Sequence, residues 1–203
     1  MLRKWTYKYI QPVLDATCRL ISRSGLNAYH LSYIGLGINV MACLIFIAGW
    51  FAFGGWVVLF AGLFDMLDGA FARYTKSTSD FGAFFDSVID RYSDFLIFGG
   101  VMFHYMINGE KGLAFLVFVV ITGAILTSYT KARAESLIER CDVGFVERPE
   151  RILILCAGAL TGMMVPALIV LAVTTHATAA QRILFTYRKC QKPDSSGRRP
   201  EAL

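Results

Sequence analysis

Residues 63–94 read LFDMLDGAFARYTKSTSDFGAFFDSVIDRYSD, and they place six aspartates, Asp65, Asp68, Asp80, Asp86, Asp90 and Asp94, in a chain that is 56% hydrophobic. On a helix Asp65 and Asp68 sit at i, i+3, while Gly82, Asp86, Asp90 and Asp94 recur every four residues along one stripe. Two helices with this pattern can present two carboxylate pairs to each other. A carboxylate near the middle of a membrane helix costs about 2.5–3.5 kcal/mol on insertion scales, so several together would be expelled, protonated or matched by cations. The stretch has too few basic residues to match them. Hard divalent cations with oxygen preference are the natural match, and four carboxylates suit one or two Mg²⁺ or Mn²⁺ ions.

The surroundings of the stretch are membrane-like. The 203-residue chain has a mean hydropathy of +0.53, well above a soluble globule. Ser24 to Phe64 contains no Lys, Arg, Asp or Glu, long enough for two spans divided near Gly54-Gly55. Further charge-free stretches run over Gly112–Thr130 and Ile152–Gln181, the second broken at Gly162–Pro166. With the Asp-bearing segments near 56–76 and 82–108, the pattern predicts an all-α polytopic membrane protein with six transmembrane helices. Ile152–Thr161 is long enough to span only if its helix starts near Pro149, a favoured first-turn residue.

The organisation expected is an interfacial amphipathic helix over 1–23, a helical domain over 24–188 and a disordered polar tail over 189–203. Leu2, Trp5, Tyr9, Val13 and Leu20 fall at roughly helical spacing among the basic residues of the first segment. All Lys and Arg except Lys111 fall on one side of this topology, so the positive-inside rule predicts a multi-pass cell-membrane protein with both termini and the aspartates cytoplasmic. The five cysteines are odd in number and lack C-x-x-C spacing, which points to neither a disulfide framework nor a zinc site.

Small residues and one arginine narrow the chemistry. Gly69 follows Asp68, Ala72 shares its face, Gly82 precedes Asp86 by a turn, and Arg73 offers a planar donor to phosphate. The spacing Asp65-x2-Asp68-Gly69-x2-Ala72-Arg73-x8-Gly82-x3-Asp86-x3-Asp90 matches the signature of, and thereby resembles, the CDP-alcohol phosphotransferase family. The resemblance implies transfer of a phosphatidyl group from a CDP-linked lipid such as CDP-diacylglycerol to an alcohol, with release of CMP. It implies two divalent ions on Asp65, Asp68, Asp86 and Asp90, a CDP-lipid pocket shaped by Gly69, Ala72, Arg73, Ser79 and Gly82, and Asp90 as general base. It also implies a homodimer in the lipid bilayer; nucleic acid is not an expected partner. Asp94 is expected to pack or support from behind, and Asp80 to be solvated in a loop.

A second constellation concerns the acceptor. Ser128 lies at the end of one charge-free span, Lys131 and Arg133 follow it, and Arg148 and Arg151 precede the next. Positive-inside anchoring alone would place cations here, but it would not require Ser128 a turn before Lys131 or a Pro-Glu between two arginines. These segments resemble the phosphatidylinositol phosphate synthase branch and its archaeal ether-lipid counterparts, which implies a phosphorylated acceptor, inositol 1-phosphate, on Ser128, Lys131, Arg133, Arg148, Arg151 and Arg182. Where the family commonly has Thr-Pro followed by Asn or Asp, this chain has Asn27-Ala28-Tyr29 with His30 next. Glycerol 3-phosphate is a rival acceptor. A cation or proton transporter is a rival class, but it would need carboxylates spread through the depth of the bundle rather than crowded to one face.

Overall fold

The computed structural model describes residue 19, residues 28–75 and residues 79–191, with the side chains of Ala28, Met66, Asp68 and Ala72 outside that description. The helix expected over 1–23 therefore lies, apart from Arg19, outside the described residues, as does the tail beyond 191. The described residues form six α-helices and no strand: α1 Ala28–Ile47, α2 Phe51–Tyr74, α3 Asp80–Ile107, α4 Lys111–Glu135, α5 Arg148–Thr161 and α6 Met164–Cys190. They divide into two compact units, the first ending at Gly100 and the second starting at Val101.

In the first unit, α1 and α2 pair as an antiparallel hairpin through Ala48-Gly49-Trp50. The break expected at Gly54-Gly55 is five residues earlier. Gly49 takes φ +83°, which stops α1 at little steric cost, whereas Gly54 lies inside α2. Gly54 is there for packing: a Cβ would lie 2.6 Å from Cε1 of the fully buried Phe46. Leu31 and Phe71 form a second buried contact between the same helices, with Phe64 and Ala70 packed against them. A buried hydrogen bond, Asn39 Nδ2 to Ser93 Oγ at 3.0 Å, ties α1 to α3. Polar bonds of this kind fix helix rotation where apolar contacts tolerate sliding.

In the second unit α6 packs on both α4 and α5. Gly123 of α4 lets α6 come close; any Cβ there would collide with Thr175. Thr127 Oγ1 donates across the same seam to the Thr175 carbonyl oxygen at 3.0 Å, and His176 Nε2 lies 3.1 Å from the Val119 carbonyl oxygen. His176, for which the sequence suggests no role, is thus a packing residue. α5 starts at Arg148 with Pro149 in its first turn, as its length requires, and Gly162 at φ +72° closes it.

Among the described residues, four helical segments are long and apolar enough to cross a bilayer: Tyr29–Ile47, Phe51–Phe71, Lys111–Glu135 and Met164–Cys190. Their outward residues, such as Leu44, Phe53, Phe60, Phe115 and Val173, are large, apolar and exposed, as a lipid-facing surface requires. The protein is therefore a multi-pass membrane protein. The remaining two helices differ for physical reasons. α3 carries Asp80, Asp86, Asp90, Arg91 and Asp94 in its first half, and α5 is only 14 residues long.

Candidate active site

The first unit brings the signature onto two consecutive helices. Asp65, Gly69 and Arg73 lie on the second half of α2, and Gly82, Asp86 and Asp90 on the opening turns of α3. Asp65 is half-buried, and a Cβ on Gly35 of α1 would sit 3.2 Å from its Oδ1. Gly35 is thus a site residue that spacing within the signature does not reveal. Arg73 and Asp86 are exposed. The Asp90 side chain is 22% exposed, and its Oδ2 is 3.9 Å from Arg91 Nη1, the outer limit of an ion pair.

Ser79 has a local task. Its Oγ accepts the Gly82 backbone N–H at 3.0 Å, the bond of an N-cap residue on α3. A Cβ at Gly82 would meet that Oγ at 3.2 Å and Tyr29 Oη at 3.8 Å. Asp80 is exposed as expected but is the first residue of α3 rather than part of a loop, where its charge complements the helix N-terminus. Asp94 is buried, one turn below Asp90.

An aromatic cluster that spacing alone does not announce flanks this region. The Phe85 ring meets Tyr29 and Tyr33 edge-on, each with centroids 5.5 Å apart, and stacks with Phe81 at 6.2 Å. His30, beside Tyr29, is exposed.

The donor set fits a hard divalent cation in chemistry. Asp65, Asp86 and Asp90 offer only oxygen, and none is fully buried. Among the described residues no three His, Cys, Asp or Glu side chains converge, and the side chains of Asp68 and Ala72 lie outside the described set.

The second unit gathers part of the acceptor constellation around one residue not singled out from sequence, Glu147. Its Oε1 lies 2.9 Å from Lys131 Nζ and 3.2 Å from Arg182 Nη2. Arg182 is almost wholly buried; its Nε donates to the Val143 carbonyl oxygen at 2.8 Å and its Nη1 to that of Thr127 at 2.6 Å. Arg151 is also buried, Arg148 and Ser128 are half-buried, and Arg133 is exposed, donating to Ser136 Oγ at 3.1 Å. Thr178 Oγ1 accepts the backbone N–H groups of Phe145 and Val146, which holds the segment carrying Glu147 against α6. The only sequence signal for Glu147 is its place three residues before Glu150, the spacing of a capping box, and that box is formed.

Comparison with known proteins gives a consistent picture. A family model described as CDP-alcohol phosphatidyltransferase matches residues 27–187. The archaetidylinositol phosphate synthase of Methanothermobacter thermautotrophicus is 33% identical over 188 residues, 90% of each chain. The phosphatidylinositol phosphate synthase of Mycobacteroides abscessus is 36% identical over 170 residues, 79% of this chain and 77% of that one. Among solved structures, the phosphatidylinositol phosphate synthase of Mycobacterium tuberculosis with CDP-DAG bound superposes with a TM-score of 0.81 at 32% identity, covering 87% of this chain and 94% of that chain. The same enzyme in complex with manganese and citrate gives 0.80 at 32% identity, covering 86% and 88%.

Proposed function

The chain belongs to the CDP-alcohol phosphatidyltransferase family, and we propose that it transfers the phosphatidyl group of CDP-diacylglycerol to inositol 1-phosphate, releasing CMP. The observation that carries the acceptor assignment is the Lys131–Glu147–Arg182 cluster in the second unit, since a phosphorylated acceptor needs fixed cations. The named relatives are synthases of inositol phosphate lipids, which favours that acceptor over glycerol 3-phosphate.

In this reading Asp65, Asp68, Asp86 and Asp90 would hold two Mg²⁺ or Mn²⁺ ions; the manganese-containing relative supports the choice of ion, and the signature spacing supports the donor set. Bound there, such ions neutralise pyrophosphate charge and ease departure of CMP. Arg73 donates to the pyrophosphate oxygens, while Gly69, Ala72 and Gly82 keep the helix surfaces low enough for the nucleotide to approach. Ser79 keeps the first turn of α3 in place beneath it. Asp90 takes the proton from the acceptor hydroxyl as its oxygen bonds to the lipid-bearing phosphorus and the bond from that phosphorus to the CMP oxygen breaks. Ser128, Lys131, Arg133, Arg148, Arg151 and Arg182 form the acceptor side, Arg182 chiefly by fixing its neighbours.

The finer topology belongs to the same proposal. α3 and α5 complete six crossings, with both termini and the active site cytoplasmic. The enzyme works as a homodimer, on the strength of the family resemblance. The 33% identity to an archaetidylinositol phosphate synthase supports a second reading in which the donor is an ether lipid.

The test is competition between acceptors. Purified protein with Mg²⁺ and CDP-diacylglycerol should release CMP with myo-inositol 1-phosphate and far less with free inositol or glycerol 3-phosphate. Preference for glycerol 3-phosphate would overturn the acceptor assignment, and CMP release only from an ether-linked donor would establish the second reading.

A further inference from the structure

One carboxylate oxygen, Glu147 Oε1, stands between two cations, 2.9 Å from Lys131 Nζ and 3.2 Å from Arg182 Nη2. This is how an oxygen of a bound phosphate is received. The two cations are not equivalent. Arg182 has a side chain only 2% exposed and further donors committed to the Val143 and Thr127 carbonyls, so it stays where it is. The side chains of Lys131 and Glu147 are 35% and 51% exposed, which makes their pair a weak and exchangeable one. Glu147 is anchored at its other end as the N-cap of α5. Its carboxylate accepts the Glu150 backbone N–H, and Glu150 Oε2 accepts the Glu147 N–H at 3.0 Å.

We infer that Glu147 is a built-in competing anion that holds the Lys131 ammonium until a phosphorylated acceptor displaces it, and so sets the affinity and selectivity for that acceptor. The inference rests on the acceptor reading of Lys131 given above. A phosphate approaching Lys131 must either break the pair with Glu147 or bind beside a second negative charge, and both lower its affinity. An acceptor without phosphate gains nothing by displacing Glu147 and leaves the pair closed. Before the acceptor arrives, the same carboxylate offsets the charge of Lys131 and Arg182, the two cations it touches.

Two variants remove the charge while retaining the start of α5. Glu147→Gln keeps the side-chain length, and Glu147→Ser creates a Ser-x-x-Glu capping box with Glu150. In both, KM for inositol 1-phosphate should fall by about two- to fivefold, the size of an exposed ion pair, with KM for CDP-diacylglycerol unchanged. Competitive inhibition by inorganic phosphate should strengthen by the same factor, and the gain should vanish when Lys131→Ala is added. An unchanged or raised acceptor KM in both variants overturns the inference. Lys131→Ala alone distinguishes the two levels: if it leaves the acceptor KM unchanged, the acceptor reading itself fails. If it raises that KM while neither Glu147 variant lowers it, only the competing-anion role is lost.

Discussion

Arg182 Nη1 donates to the Thr127 carbonyl oxygen at 2.6 Å, joining the last third of α6 to the middle of α4 inside the second unit. The same carbonyl oxygen also accepts from Thr130 Oγ1 at 3.2 Å, while the Thr127 hydroxyl donates to the Gly123 and Thr175 carbonyls. A residue that looks from sequence like one more phosphate-binding arginine is thus also the clamp of its unit. Arg182→Ala should leave the Thr127 and Val143 carbonyls without these bonds and cost about 2–4 kcal/mol. The check is thermal unfolding in detergent, where a wild-type midpoint would contradict the clamp. Arg182→Lys should restore little, because an ammonium cannot reproduce the planar fork.

Close approach at Gly123 predicts a second stability effect. Gly123→Ala should push α4 from α6 through the collision with Thr175 and cost about 1–3 kcal/mol. Unfolding of the variant at wild-type temperature would show that the seam yields more easily than its packing implies.

Ser79 separates a capping role from a ligand-binding one. Ser79→Ala should lower stability by about 1 kcal/mol, and Ser79→Asn, also a good N-cap, should recover most of it. A change in KM for CDP-diacylglycerol with no change in stability would instead make Ser79 a substrate contact.

The placement of the signature was legible because it is local. Asp65 to Asp90 fall by their spacing on two consecutive helices, so helical periodicity is enough to align them. Gly35, Tyr29 and Glu147 were not legible because their roles depend on partners distant in sequence: Asp65 for Gly35, Phe85 for Tyr29, and Lys131 and Arg182 for Glu147. The misplaced break at Gly54-Gly55 has a related cause. A glycine that admits Phe46 and a glycine that ends a helix look alike in one dimension, and only the positive φ of Gly49 tells them apart. Span counting weakens for the opposite reason: the charges on the first half of α3 remove it from the apolar pattern by which spans are recognised.

Asp90 is predicted to carry the proton transfer. Asp90→Asn should reduce turnover by about 10²–10⁴-fold or more, in protein whose thermal unfolding is followed alongside so that lost chemistry is told apart from lost fold. Near-normal turnover would reject its role as base.

Removal of divalent ions should stop turnover reversibly. Activity lost in excess chelator should return with Mg²⁺ or Mn²⁺, and Asp65→Asn or Asp86→Asn should raise the ion concentration needed for half-maximal rate. Full activity in excess chelator would remove the metal role from all four signature aspartates.

The most direct test of the central claim is the lipid product itself. Purified protein in nanodiscs, given CDP-diacylglycerol, Mg²⁺ and myo-inositol 1-phosphate, should form phosphatidylinositol phosphate in equal amount to the CMP released, as read by mass spectrometry. Formation of phosphatidic acid with CMP would mean that water rather than the acceptor hydroxyl attacks, and CMP release without any new inositol lipid would contradict the transfer to a phosphorylated alcohol.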